Sequence, residues 1–95
     1  MTPRSPVPRR PQALRVVHDA ATDVVYCSLG STVPALIRAD PAWPGVEWRY
    51  DTQLERLIGV TVRTYHTVDP GALATRIQDR FRDERGLAVT VALPR

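Results

Sequence analysis

Hydrophobic and polar residues alternate strictly over residues 46–51, with Val46, Trp48 and Tyr50 on one face and Glu47, Arg49 and Asp51 on the other. A period of two marks a strand with one buried and one wet face. The alternation resumes over residues 57–65, where Ile58, Val60 and Val62 share a face, Thr64 and His66 follow, and Thr61 and Arg63 lie opposite. Upstream, Leu14-Arg15-Val16-Val17-His18 and Val24-Val25-Tyr26-Cys27-Ser28-Leu29 are separated by a segment that Asp19 and Asp23 bracket. Both acids favour turns through their own side-chain hydrogen bonds, so the two runs predict an antiparallel hairpin with a loop of about five residues. Residues 33–38 read as a weaker third strand. Pro34 has no N–H for a ladder and confines that strand to an edge or an irregular place.

Beyond residue 69 the period becomes helical. Leu73, Ile77 and Phe81 recur at every fourth position, Asp69 can cap the first turn, Pro70 suits the first helical position, and Gly86 provides a stop. Leu87, Val89, Val91 and Leu93 then alternate with smaller residues and predict a last strand before Pro94. The expected fold is α+β: an antiparallel sheet of about five to six strands with one helix, in the C-terminal half, packed on one face. It is expected to occupy residues 13–95 as one small domain.

Composition divides the chain. All thirteen cationic residues are arginines, set against ten acids. Arg4, Arg9 and Arg10 lie in residues 1–12, which hold four of the nine prolines and no acid, so the net charge of +3 belongs to that stretch. Proline fixes φ and removes a donor, and residues 1–12 are expected to be a disordered leader. The remainder is electroneutral. A nucleic-acid role would therefore fall on Arg4, Arg9 and Arg10, whose three charges allow a salt slope of only about −3 and weak binding. No apolar run approaches the ~20 residues that span a bilayer, and the first residues hold no hydrophobic signal core. No membrane partner is expected, and the cytoplasm is the expected location. The single Cys27 has no disulfide partner, and no Cys/His spacing suits zinc, so no metal or other cofactor is expected.

The candidate chemistry is sparse. His18, Asp19, Asp23, His66 and Asp69 could be drawn together as a metal or hydrolytic cluster, but a His-Asp pair plus a distant histidine is a weak signal, and ordinary strand-end histidines are expected. Cys27 lies mid-strand, where a buried, inert thiol is expected. Gly30-Ser31-Thr32 reads as a turn, and Asp51 with Glu55 lacks an evident cleft. No catalytic set emerges, and an enzyme is not expected. Trp48 and Tyr50 are expected in the core. Trp43, between Pro41 and Pro44, is either a lid over a sheet edge or an exposed anchor, while Arg49 and Arg63 lie on the wet face. Trp43, Arg49 and Arg63 are the candidate interaction residues, because exposed tryptophan and arginine dominate protein interfaces.

The strand ending in His18-Asp19, then Ala21-Thr22-Asp23 and the strand through Tyr26 to Leu29, resemble the opening of a small bacterial family known as domain of unknown function 2283. Tyr50-Asp51, Leu57-Ile58-Gly59 and Val60-Thr61-Val62 resemble its second half, so the likeness covers about residues 14–65. The chain departs from that pattern at His18, where tyrosine is usual, and at Thr52-Gln53-Leu54-Glu55-Arg56, where a tight turn with Asp or Gly is usual. The resemblance implies a compact β-rich module without enzymatic activity, similar in some members to antitoxins that neutralise small RelE-like toxins. A small sheet with uncovered edges also favours association. The expected function is a protein-interaction module, in a homodimer or with a different protein partner. The alternative is a nucleic-acid-binding regulator that uses the arginine arm.

Overall fold

The structure, a computed structural model, describes residues 10–30 and 33–95. Five strands form one antiparallel sheet: β2 (Arg15–Asp19), β3 (Val24–Ser28), β4 (Ala35–Ala39), β5 (Val46–Asp51) and β6 (Leu57–Val62), in the spatial order β2-β3-β6-β5-β4. The hairpin β2–β3 and the meander β4–β5–β6 are thus joined along β3 and β6, leaving β2 and β4 at the edges. Pro34 sits just before β4, consistent with the edge position its missing donor requires.

Helix α1 (Pro70–Arg85) covers one sheet face. Asp69 accepts the Gly71 amide at 3.0 Å, Pro70 opens the helix, and Gly86 ends it at φ 61°, a left-handed conformation that glycine adopts without a Cβ penalty. Leu73, Ile77 and Phe81 are all fully buried, so the four-residue stripe is the docking face. They meet Val25, Cys27, Trp48, Val60 and Val62, the inward residues of the three central strands. Trp48 and Phe81 are the largest fully buried side chains, and aromatic area of this kind contributes much of the apolar burial in a small core.

Three local readings change. The last strand is only β7 (Val89–Thr90), and it pairs in parallel with β1 (Gln12–Ala13) in a separate two-stranded ladder instead of joining the main sheet. Gln12, at the end of the expected leader, is therefore an ordered partner: its amide donates to the Ala88 carbonyl at 2.9 Å. Arg10 is described and exposed, whereas Arg4 and Arg9 lie outside the described residues.

The second change is a β-bulge. Arg49 is opposite Gly59 and Tyr50 is opposite Leu57, so Ile58 is an extra residue on β6. Leu57 turns into the core and Ile58 to the outer face, against the simple alternation. Third, the chain leaves β6 through Thr64 at φ 53° into a 3-10 turn over Tyr65–Thr67, which buries Tyr65 instead of Thr64 or His66.

Candidate functional site

The helix-side half of the sheet holds a buried carboxylate. Asp40 directly follows β4, and its side chain has no exposure. Oδ1 accepts the Ala42 amide at 2.8 Å, the Trp43 amide at 3.0 Å and Arg76 Nη2 at 2.7 Å; Oδ2 accepts Trp48 Nε1 at 3.0 Å and Arg76 Nε at 2.8 Å. Burial alone pushes this carboxyl up, but the hydrogen bonds from Arg76, Ala42, Trp48 and Trp43 outweigh it and hold the group well below the ordinary carboxylate range. The Arg76 guanidinium lies over the Trp43 ring at 5.2 Å. Trp43 is thus a half-buried lid, packed on the core and pinned by Asp40 and Arg76. Arg80 repeats the stacking on Trp48 at 4.9 Å and donates to the Tyr50 hydroxyl at 3.3 Å, while that hydroxyl donates to Glu84 at 2.8 Å. These mutual contacts join the end of β4, the centre of β5 and the helix, and mark a structural hub.

At one end of the sheet the two histidines do converge, on Asp23. His66 Nδ1 lies 2.5 Å from Asp23 Oδ2, which also accepts the His66 amide at 2.9 Å, and His18 Nε2 lies 3.3 Å from Oδ1. The His66 amide, then the His66 ring, are the main causes that lower the Asp23 carboxyl to about 2, despite some desolvation. Asp19 and Asp69 do not join them: Asp19 accepts the Ala21 amide in the turn and Asp69 caps the helix. Among the described residues no three His, Cys, Asp or Glu side chains are disposed to hold a metal ion. The cluster ties the β2–β3 turn to the chain after β6. Asp51, likewise, accepts the Gln53 and Leu54 amides in the next turn at 2.7 and 2.9 Å. Burial pushes the Cys27 thiol up to about 12, which removes it as a nucleophile near neutrality.

Among the described residues no element covers the sheet face opposite the helix. Arg63 pairs with Glu47 at 2.5 Å, so one candidate interaction residue is already satisfied by a neighbour on the same face. Arg49 makes no ion pair among the described residues, and it borders a cleft of about 330 Å³ with Arg15, Val17, Tyr26, Ser28 and Gly59. Hydrophobic groups also remain open here and along β4: Val17, Tyr26, Leu36 and Ile37 are 46%, 40%, 44% and 53% exposed. The three interaction candidates therefore belong to different places. Trp43 is a lid on the helix side, Arg63 is a paired surface group, and Arg49 is a cleft residue.

Sequence reasoning missed Asp40, Arg76 and Arg80 altogether. Asp40-Pro41 looks like a strand end, and only the folded chain reveals that Arg76, thirty-six positions away, completes the charge pair. No described helix is long and apolar enough to cross a membrane. No family model, curated protein or solved structure matches the chain.

Proposed function

We propose that the protein is a non-enzymatic interaction module that adds a partner strand at the β4 edge, with a second copy of the chain as that partner. The observation that carries this reading is the edge itself. Among the described residues β4 pairs with β5 on one side only, and Leu36 and Ile37 sit there about half-exposed. A bare sheet edge offers a row of backbone donors and acceptors, and proteins ordinarily blunt such edges with charges, proline or a cover. Within β4 only Arg38 is charged, and its guanidinium is drawn back over the Tyr50 ring at 4.8 Å. Antiparallel pairing of two β4 strands about Ile37 would set Leu36 opposite Arg38 and Ala35 opposite Ala39, with no like charges in register.

The resemblance to domain of unknown function 2283 supports the same class of function and adds its finer form, an antitoxin-like partner for a small toxin. Light scattering and sedimentation across a range of concentrations test the proposal. A dimer is expected, and Leu36→Lys/Ile37→Lys should convert it to a folded monomer with unchanged circular dichroism. A chain that is monomeric at every concentration, or a dimer indifferent to the double substitution, would overturn pairing at β4.

A further inference from the structure

We infer that the open-face cleft is a binding site for a small organic oxyanion, a carboxylate or phosphate carried on a flat apolar body. The sheet register builds it. Arg15 is opposite Ser28, Ser28 is opposite Gly59, and Gly59 is opposite Arg49, so a single cross-strand row reads Arg-Ser-Gly-Arg. The two arginine Cα atoms are three strand spacings apart, about 14 Å. That separation lets both guanidiniums lean inward over the two small residues from opposite sides.

The floor is bare for a steric reason. A Cβ on Gly59 would collide with the Cys27 carbonyl, so no side chain can rise there. Tyr26 and Val17, one row along, and Ile58, turned outward by the bulge, supply the apolar walls. Charge selects the occupant. Among the described residues neither Arg15 nor Arg49 has an acidic partner, while Glu47, also on this face, is paired with Arg63. Asp51 is occupied by backbone amides of its own turn. Two unbalanced guanidiniums favour an anion, and planar forked donors suit carboxylate or phosphate oxygens. A volume of about 330 Å³ matches a small molecule in place of a peptide strand.

The test is an amide chemical-shift titration of the full chain with phenyl phosphate and with phenylacetate, alongside inorganic phosphate and phenol as half-ligands. At least one aromatic oxyanion should shift the Arg15, Ser28, Gly59 and Arg49 amides, and whichever responds more strongly identifies the head group. Each half-ligand should bind about tenfold more weakly or worse. Arg15→Gln and Arg49→Gln should each weaken binding about tenfold. Arg82→Gln, on the helix that covers the other sheet face and already paired with Asp79, should leave it unchanged. A response that survives in Arg15→Gln/Arg49→Gln, one that maps to another face, or no response to either aromatic oxyanion at millimolar concentration would overturn the assignment. The Arg15→Gln variant changes an exposed side chain, so its spectrum should remain that of the folded protein and separate lost binding from lost structure.

Discussion

Replacing Asp40 by alanine removes the acceptor for five hydrogen bonds at once, and the structure indicates how much each loss costs. Trp48 is fully buried, so its indole N–H is left without partner or water, at about 1–3 kcal/mol. Arg76 retains 31% side-chain exposure and can rehydrate, so its lost ion pair contributes only about 1 kcal/mol after solvent screening. The Ala42 and Trp43 amides border solvent and together add about 1 kcal/mol. The sum is about 3–5 kcal/mol, in line with breaking other buried pairs. A domain of this size typically has about 5–10 kcal/mol in total, so roughly half its stability should disappear.

Urea unfolding followed by tryptophan fluorescence measures the loss. Trp48→Phe removes the stranded donor in advance, so Asp40→Ala should cost at least about 1 kcal/mol less in that background. Acid provides an independent check. The folded carboxyl is held below its ordinary value of 3.8, so its stabilisation is intact above that value and declines as pH falls toward the folded pKa. The wild type should lose stability in acid more steeply than Asp40→Asn, which has no such proton to take up. A cost under about 1 kcal/mol for Asp40→Ala, or no coupling to Trp48, would refute the hub.

Other perturbations probe separate parts of the fold. Glu55 is exposed at φ 52°, so Glu55→Gly should stabilise the β5–β6 turn by about 1 kcal/mol, read as a raised urea midpoint. The Asp23 carboxyl should titrate near 2 by carbon-detected NMR, and His66→Ala should move that midpoint toward the ordinary range. Gly59→Ala should cost several kcal/mol, about 2–4, because the new methyl meets the backbone of β3 and not a yielding side chain. With its thiol raised to about 12, Cys27 should react with a disulfide reagent at pH 8 only at the rate of unfolding, and a fast native-state reaction would contradict its burial.

Local patterns carried much of the architecture. Strict alternation placed Trp48 and Tyr50 inside and Arg49 outside, because a strand sends successive side chains to opposite faces whatever its neighbours are. The Asp69-Pro70 start, the Leu73-Ile77-Phe81 stripe and the Gly86 stop located the helix, since capping and the helical period are satisfied within a few residues. Pro34 placed β4 at an edge through a missing donor. What local pattern could not supply was anything set by cross-strand or cross-layer geometry. The bulge that turns Ile58 outward depends on how β5 meets β6, and β7 left the main sheet because Gln12–Ala13 offered it a parallel partner. Asp40 and Arg76 become a pair only when the helix lies on the sheet. Likewise, Arg15, Ser28, Gly59 and Arg49 are scattered over four strands, and only the register places them in one row. Sequence determined which faces are apolar and where elements begin and end. Tertiary structure decided which charges meet and which remain free, because those outcomes depend on distances between residues far apart in the chain.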